Sequence, residues 1–102
     1  MLRLLGLAVL LAALVMVPVT LGATGERVVD LADLFEPAQE EELAGLAASI
    51  GSQYGMDIVL VTTRDAGGKS AMAFADDFFD ENGYGVGPDR DGILFLVDLD
   101  NR

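Results

Sequence analysis

Two uncharged apolar runs set the tightest limit on how this chain can fold. In Asp57-Ile58-Val59-Leu60-Val61-Thr62-Thr63 nearly every residue is aliphatic or β-branched, and Ile93-Leu94-Phe95-Leu96-Val97 repeats the pattern further along. Neither run alternates apolar with polar, so each reads as a strand buried on both faces, the habit of parallel sheets. Parallel neighbours need a long crossover, and the segment between the runs supplies one. Ser70 is a good N-cap for a helix over Ser70–Asn82, with Phe74, Phe78 and the Ala71/Ala75 positions on its apolar side. Asn82-Gly83 stops that helix, and Asp91-Gly92 turns the chain into the second run. The spacing predicts a βαβ unit with a right-handed crossover.

A second helix precedes the first run. Glu36-Pro37 opens it, with Pro at the first helical position and Glu40, Glu41 and Glu42 near the positive end of the dipole. Leu43, Leu46, Ala47, Ile50 and Tyr54 recur at helical spacing as one apolar stripe, and Gly55 ends the helix. Val28-Val29-Asp30-Leu31 ahead of it is a short extended stretch. The fold class expected is therefore α/β with a mainly parallel sheet. Two long strands and one short one make a small sheet with open edges, so the domain is expected to be incomplete at its C-terminus.

The first residues follow a different logic. Leu4 to Val17 is apolar without a charge, preceded by Arg3 and followed by Pro18 and the small-residue stretch Thr20-Leu21-Gly22-Ala23. That layout predicts a signal peptide over 1–23. The alternative is a retained N-terminal membrane anchor, since Leu4 to Ala23 just reaches the ~20 residues that span a bilayer. Either way residues 24–102 form the domain, and the protein is expected to be exported, extracellular or in the cell envelope.

Acidic residues number 17 against 6 basic ones, for a net charge of −11. Such a surface repels nucleic acid, because phosphate binding needs Lys and Arg. It suits divalent cations or basic protein partners. The chain has no cysteine and no histidine. Those absences exclude thiolate metal sites, thiol chemistry, Ser-His and Cys-His catalysis and histidine ligation.

Phe78-Phe79-Asp80-Glu81-Asn82-Gly83-Tyr84-Gly85-Val86-Gly87, followed by Asp89-Arg90-Asp91-Gly92-Ile93-Leu94-Phe95-Leu96-Val97, strongly resembles the TPM domain family. Val28-Val29-Asp30-Leu31-Ala32-Asp33-Leu34-Phe35 and Tyr54-Gly55-Met56-Asp57-Ile58-Val59 fill the family's earlier slots, so the likeness runs from about Val28 to Arg102. The resemblance implies an αβα sandwich outside the cytoplasm, sometimes ahead of a transmembrane segment. Members include a thylakoid-lumen protein linked to photosystem II repair, an auxiliary receptor subunit and many bacterial envelope proteins. Calcium or other divalent binding and a weak acid phosphatase activity have been ascribed to some. Two departures stand out. Asp91 stands where many members have Asn, and the family's next strand, with its Gly-rich segment, lies past the position of Arg102.

Four acids are the candidate metal ligands. Asp89 and Asp91 share an Asp-x-Asp-Gly turn that suits a hard cation such as Ca²⁺, although turn chemistry alone explains it as well. Asp98 and Asp100 sit at the other end of the same strand, too far away to share an ion with the first pair. Ile93 to Asp100 superficially resembles the first motif of haloacid-dehalogenase phosphatases, with Asp98 as nucleophile, Asp100 as acid/base and Mg²⁺ as cofactor. A turn at Asp100-Asn101 is the plainer reading. Gly67-Gly68-Lys69-Ser70 lies where a nucleotide-binding loop would, but Thr63 replaces its first glycine, so no nucleotide is expected. Gly83, Gly85 and Gly87 miss the dinucleotide spacing. Tyr84 and Val86 are instead read as exposed residues of a partner-docking loop. These residues point to a non-enzymatic envelope module that docks onto membrane or envelope proteins and can bind Ca²⁺. The alternative is a weak divalent-metal-dependent acid phosphatase.

Overall fold

A computed structural model describes residues 26–102 of the chain. The expected signal peptide or anchor over 1–23 lies outside the described residues. Five elements follow in order: β1 Val28–Asp30, α1 Pro37–Tyr54, β2 Asp57–Thr63, α2 Ala71–Glu81 and β3 Gly92–Asp98. The strands form one sheet in the order β1-β2-β3, and both pairs are parallel. Val59 lies level with Leu94 and Val61 with Leu96, while Val29 lies level with Val61. Strand–helix–strand alternation on a parallel sheet makes this an α/β fold, as the two apolar runs predict.

The helix ends obey local chemistry. Glu36 is extended with Pro37 after it, and the Glu36 N–H donates to Gln39 Oε1 at 2.9 Å. Gly55 closes α1 in the left-handed region at φ 67°, a conformation that L-residues with side chains rarely adopt. Ser70 accepts the Ala73 N–H at 3.1 Å and so caps α2. At the far end Asn82 donates its side-chain amide to the Phe78 carbonyl.

One face of the sheet carries the core. Val59 and Val61 are fully buried there with Tyr84, and Val29, Leu94, Leu96, Phe74, Phe78 and Phe79 pack around them. The rings of Phe74 and Phe78 stack at 6.0 Å, and those of Phe78 and Tyr84 at 6.4 Å. α2 packs on β3, whereas α1 lies over β1 and β2.

Three expectations are corrected. β3 is buried on one face only, because Ile93, Phe95 and Val97 are 42%, 55% and 39% exposed. The reason is position: among the described residues β3 lies at the edge of the sheet, and α1 packs on β1 and β2 instead. Only part of the stripe on α1 is packed. Ala47 is buried and Leu43 half-buried, but Leu46, Ile50 and Tyr54 are exposed, and the other buried residue is Gly51. A Cβ on Gly51 would stand 2.5 Å from the Met56 carbonyl oxygen, so only glycine fits without a shift where the helix meets the chain entering β2. Finally, Tyr84 is 1% exposed instead of lying open in a loop. Its ring fills the end of the core and leaves Val86 as the exposed member of that pair.

Candidate functional site

The parallel register sorts the polar residues to two opposite ends of the sheet. Asp30 lies level with Thr62, and Thr63 with Asp98, so all four stand at the C-terminal ends of their strands. This is the edge where open α/β sheets hold their ligands. Asp57 pairs with Gly92 at the N-terminal end, with Asp91 beside it. Asp89 and Asp91 are thus a strand length away from Asp98 and Asp100, as the spacing predicts.

At the C-terminal edge the carboxylates hold the chain. Asp30 Oδ1 accepts the Thr62 hydroxyl at 2.6 Å and the Leu34 N–H at 3.0 Å, while Oδ2 accepts the Phe35 N–H at 2.9 Å. Desolvation raises the Asp30 pKa, but the Thr62 hydroxyl, the two N–H groups and the Arg64 charge outweigh it and leave it below the ordinary 3.8. Asp98 Oδ1 accepts the N–H of Asp100 and of Asn101, and its Oδ2 accepts the Asn101 side-chain amide at 2.7 Å. That side-chain bond above all, then the two backbone bonds, prevails over desolvation and lowers its pKa too. Asp100 reaches across to the Ala66 N–H at 2.9 Å, tying the end of β3 to the loop after β2. The Asp100-Asn101 bend is therefore built by Asp98.

At the opposite end an ion pair anchors the loop after α2. Asp57, 6% exposed, takes Arg27 Nη1 on one oxygen at 2.7 Å and the Gly85 N–H on the other at 2.7 Å. The Tyr84 hydroxyl donates to the Glu26 carbonyl at 2.6 Å, and burial pushes its pKa up. Arg90 then clamps the loop: Nε and Nη2 donate to the Tyr84 carbonyl, and the guanidinium sits 5.8 Å from the Phe79 ring centroid. Val86 and Asp91 form an antiparallel bridge that closes the tight turn holding Asp89. This knot was not foreseen from the sequence. Its only signal there is an acid at the start of an apolar strand and a tyrosine between two glycines.

Ca²⁺ takes roughly six to eight oxygen ligands. Asp89 and Asp91 are exposed on their turn, and Asp98 and Asp100 are engaged with N–H groups. Among the described residues no three acids converge as a metal cluster. The acids present do not by themselves complete a calcium shell. A cation at Asp89 and Asp91 would take most of its oxygens from water and backbone carbonyls. Lys69 pairs with Asp77 at 2.7 Å, and Asp77 raises its pKa. With Arg27 and Arg90 also engaged, three of the few cations are bound internally, which leaves the acidic surface little offset.

Three parallel strands joined by two helices, with polar groups ranged along both strand ends, define a small α/β domain of the parallel-sheet class. The chain belongs to the TPM domain family, whose model matches residues 28–102. None of the curated proteins compared with the chain matches it. Among the described residues no helix is long and apolar enough to cross a membrane.

Proposed function

We propose that this TPM domain is an extracytoplasmic docking module of the cell envelope, binding a membrane or envelope protein through α1. The observation that carries this reading is the row Leu46, Ile50 and Tyr54, successive fourth residues that lie 53%, 41% and 66% exposed on one side of the helix. Apolar side chains ranged together at the surface mark interaction sites, whereas scattered ones do not. Val86, also exposed, shares a separate cleft with Gly51 and Gly55 at the end of α1. The acidic surface selects for basic surroundings on the partner. A photo-activated cross-linking residue in place of Ile50 tests the reading in the native envelope. A single defined adduct that Leu46→Asp abolishes is expected, and no adduct from the row while α2 positions react would defeat it. Ca²⁺ enters as a weak ligand of Asp89 and Asp91, checked by calcium titration calorimetry on the native chain and on Asp91→Asn.

A second reading is a weak Mg²⁺-dependent acid phosphatase, the activity that the resemblance to the TPM domain family implies. Asp98 would be its nucleophile: it is held ionised at the C-terminal end of a parallel strand, with Asp100 nearby. Hydrolysis of an aryl phosphate that needs Mg²⁺ and vanishes in Asp98→Asn would favour it over docking alone.

A further inference from the structure

We propose that Asn82 is a site of spontaneous deamidation, and that its conversion loosens the loop carrying Tyr84. The chain's asparagines are Asn82, before Gly83, and Asn101, before Arg102. Deamidation starts when the backbone nitrogen of the next residue attacks the side-chain carbonyl carbon, Cγ. A glycine leaves that nitrogen unhindered because it has no Cβ, whereas Arg102 crowds it. Asn82 and Gly83 are both exposed, so water and hydroxide reach them. Asn101 is held more firmly: its amide donates to the Lys69 carbonyl at 2.9 Å and to Asp98 at 2.7 Å.

The steps balance with water as the only co-reactant. The Gly83 nitrogen gives its proton to base and bonds to Asn82 Cγ. The Cγ–Nδ2 bond breaks and ammonia leaves. Water then opens the succinimide ring at either carbonyl. Opening at Cγ yields aspartate; opening at the main-chain carbonyl yields isoaspartate, in which the backbone runs through Cβ.

The native cap sets the pace. With Asn82 at ψ 4° the Gly83 nitrogen is turned from the side chain, and its N–H donates to the Asp80 carbonyl at 3.2 Å. The Asn82 amide donates to the Phe78 carbonyl at 2.9 Å. Ring closure must break both bonds and rotate the Asn82 Cα–C bond. Both bonds lie at a helix end, where local opening costs little. Conversion then removes what the cap supplies. A carboxylate cannot donate to Phe78, and it adds charge beside Asp80 and Glu81 at the negative end of the helix. Isoaspartate also lengthens the main chain by a CH₂ just ahead of Tyr84. The Tyr84 N–H bonds to the Phe79 carbonyl and the Gly85 N–H to Asp57, and the longer backbone puts both out of step.

Peptide mapping of the native full chain, aged in mild detergent at neutral pH, tests the site. The peptide holding Asn82 should show the mass change of ammonia replaced by water, with isoaspartate the larger product. The change should run faster in mildly alkaline buffer, and severalfold faster in urea, where the cap is absent. Asn101 should lag behind Asn82 in the native chain, and Asn82→Ser should abolish the early product. Deuterium should enter the Tyr84 and Gly85 amides severalfold faster in the aged chain than in the fresh one. Asn82→Asp, which has the charge without the longer backbone, should show a smaller increase. A native chain in which Asn82 stays intact, or converts after Asn101, would overturn the site. Equal exchange at Tyr84 and Gly85 in aged and fresh chains would overturn the loosening.

Discussion

Gly85 shows how closely single residues are constrained here. Its φ of +111° is unsuited to an L side chain, and an added Cβ would lie 2.7 Å from the Arg90 Cβ. Both costs act at once, so Gly85→Ala should destabilise the domain by about 3 kcal/mol in urea unfolding. Asp30 gives a pH dependence with a definite sign. Its folded pKa lies below the ordinary 3.8, so its contribution is present above that value and is lost as pH falls through the folded pKa. Thermal melts of Asp30→Asn should show a shallower fall of the midpoint below about pH 4 than the native chain does. Asp98 shifts in the same direction and adds to the native slope. Asp30 stood in the sequence only as part of a short extended stretch. Its three hydrogen bonds join residues on either side of α1, and no local pattern announces them.

At the scale of elements, α1 tests what packs and what does not. Gly→Ala in a helix interior ordinarily gains about 1 kcal/mol. At Gly51 the new Cβ would press against a backbone carbonyl that cannot move aside, which costs roughly 1–3 kcal/mol. Gly51→Ala should therefore lower the unfolding midpoint, although the same change at exposed Gly45, where a Cβ meets nothing within 4 Å, should raise it. Leu46→Ala, on the exposed row, should stay within about 0.5 kcal/mol of the native chain. Val61→Ala, at a fully buried position, should cost about 2 kcal/mol. Helical periodicity in the sequence identified the apolar stripe and both ends of α1. It could not show which side faces the sheet, because Ala47 and Gly51 carry little hydrophobic signal and pack by being small.

Across the whole molecule, charge and sheet closure dominate. A net charge of −11 on so short a chain opposes the compact state through self-repulsion, and dissolved salt screens it over about 10 Å at 0.1 M. Raising sodium chloride from low to physiological concentration should raise the melting temperature. The Arg27–Asp57 pair should respond less than the surface does, because Asp57 is buried.

The amino-acid sequence alone determined the α/β class, the parallel pairing of the two apolar runs, the crossover helix and the helix caps. Each of those is decided by local chemistry: side-chain periodicity, a hydroxyl at an N-cap, a glycine free to take positive φ. Burial was decided by tertiary structure. The apolar run in β3 looks the same as that in β2, yet one lies between two strands and the other at the end of the sheet, so Phe95 is open where Val59 is closed. Tyr84 moved the other way, from an expected surface loop into the core, because the bonds of Asp57 and Arg90 fold its loop back over the sheet. Those partners are 27 and 6 residues from Tyr84 in the chain, and only the register of the strands brings Asp57 beside it.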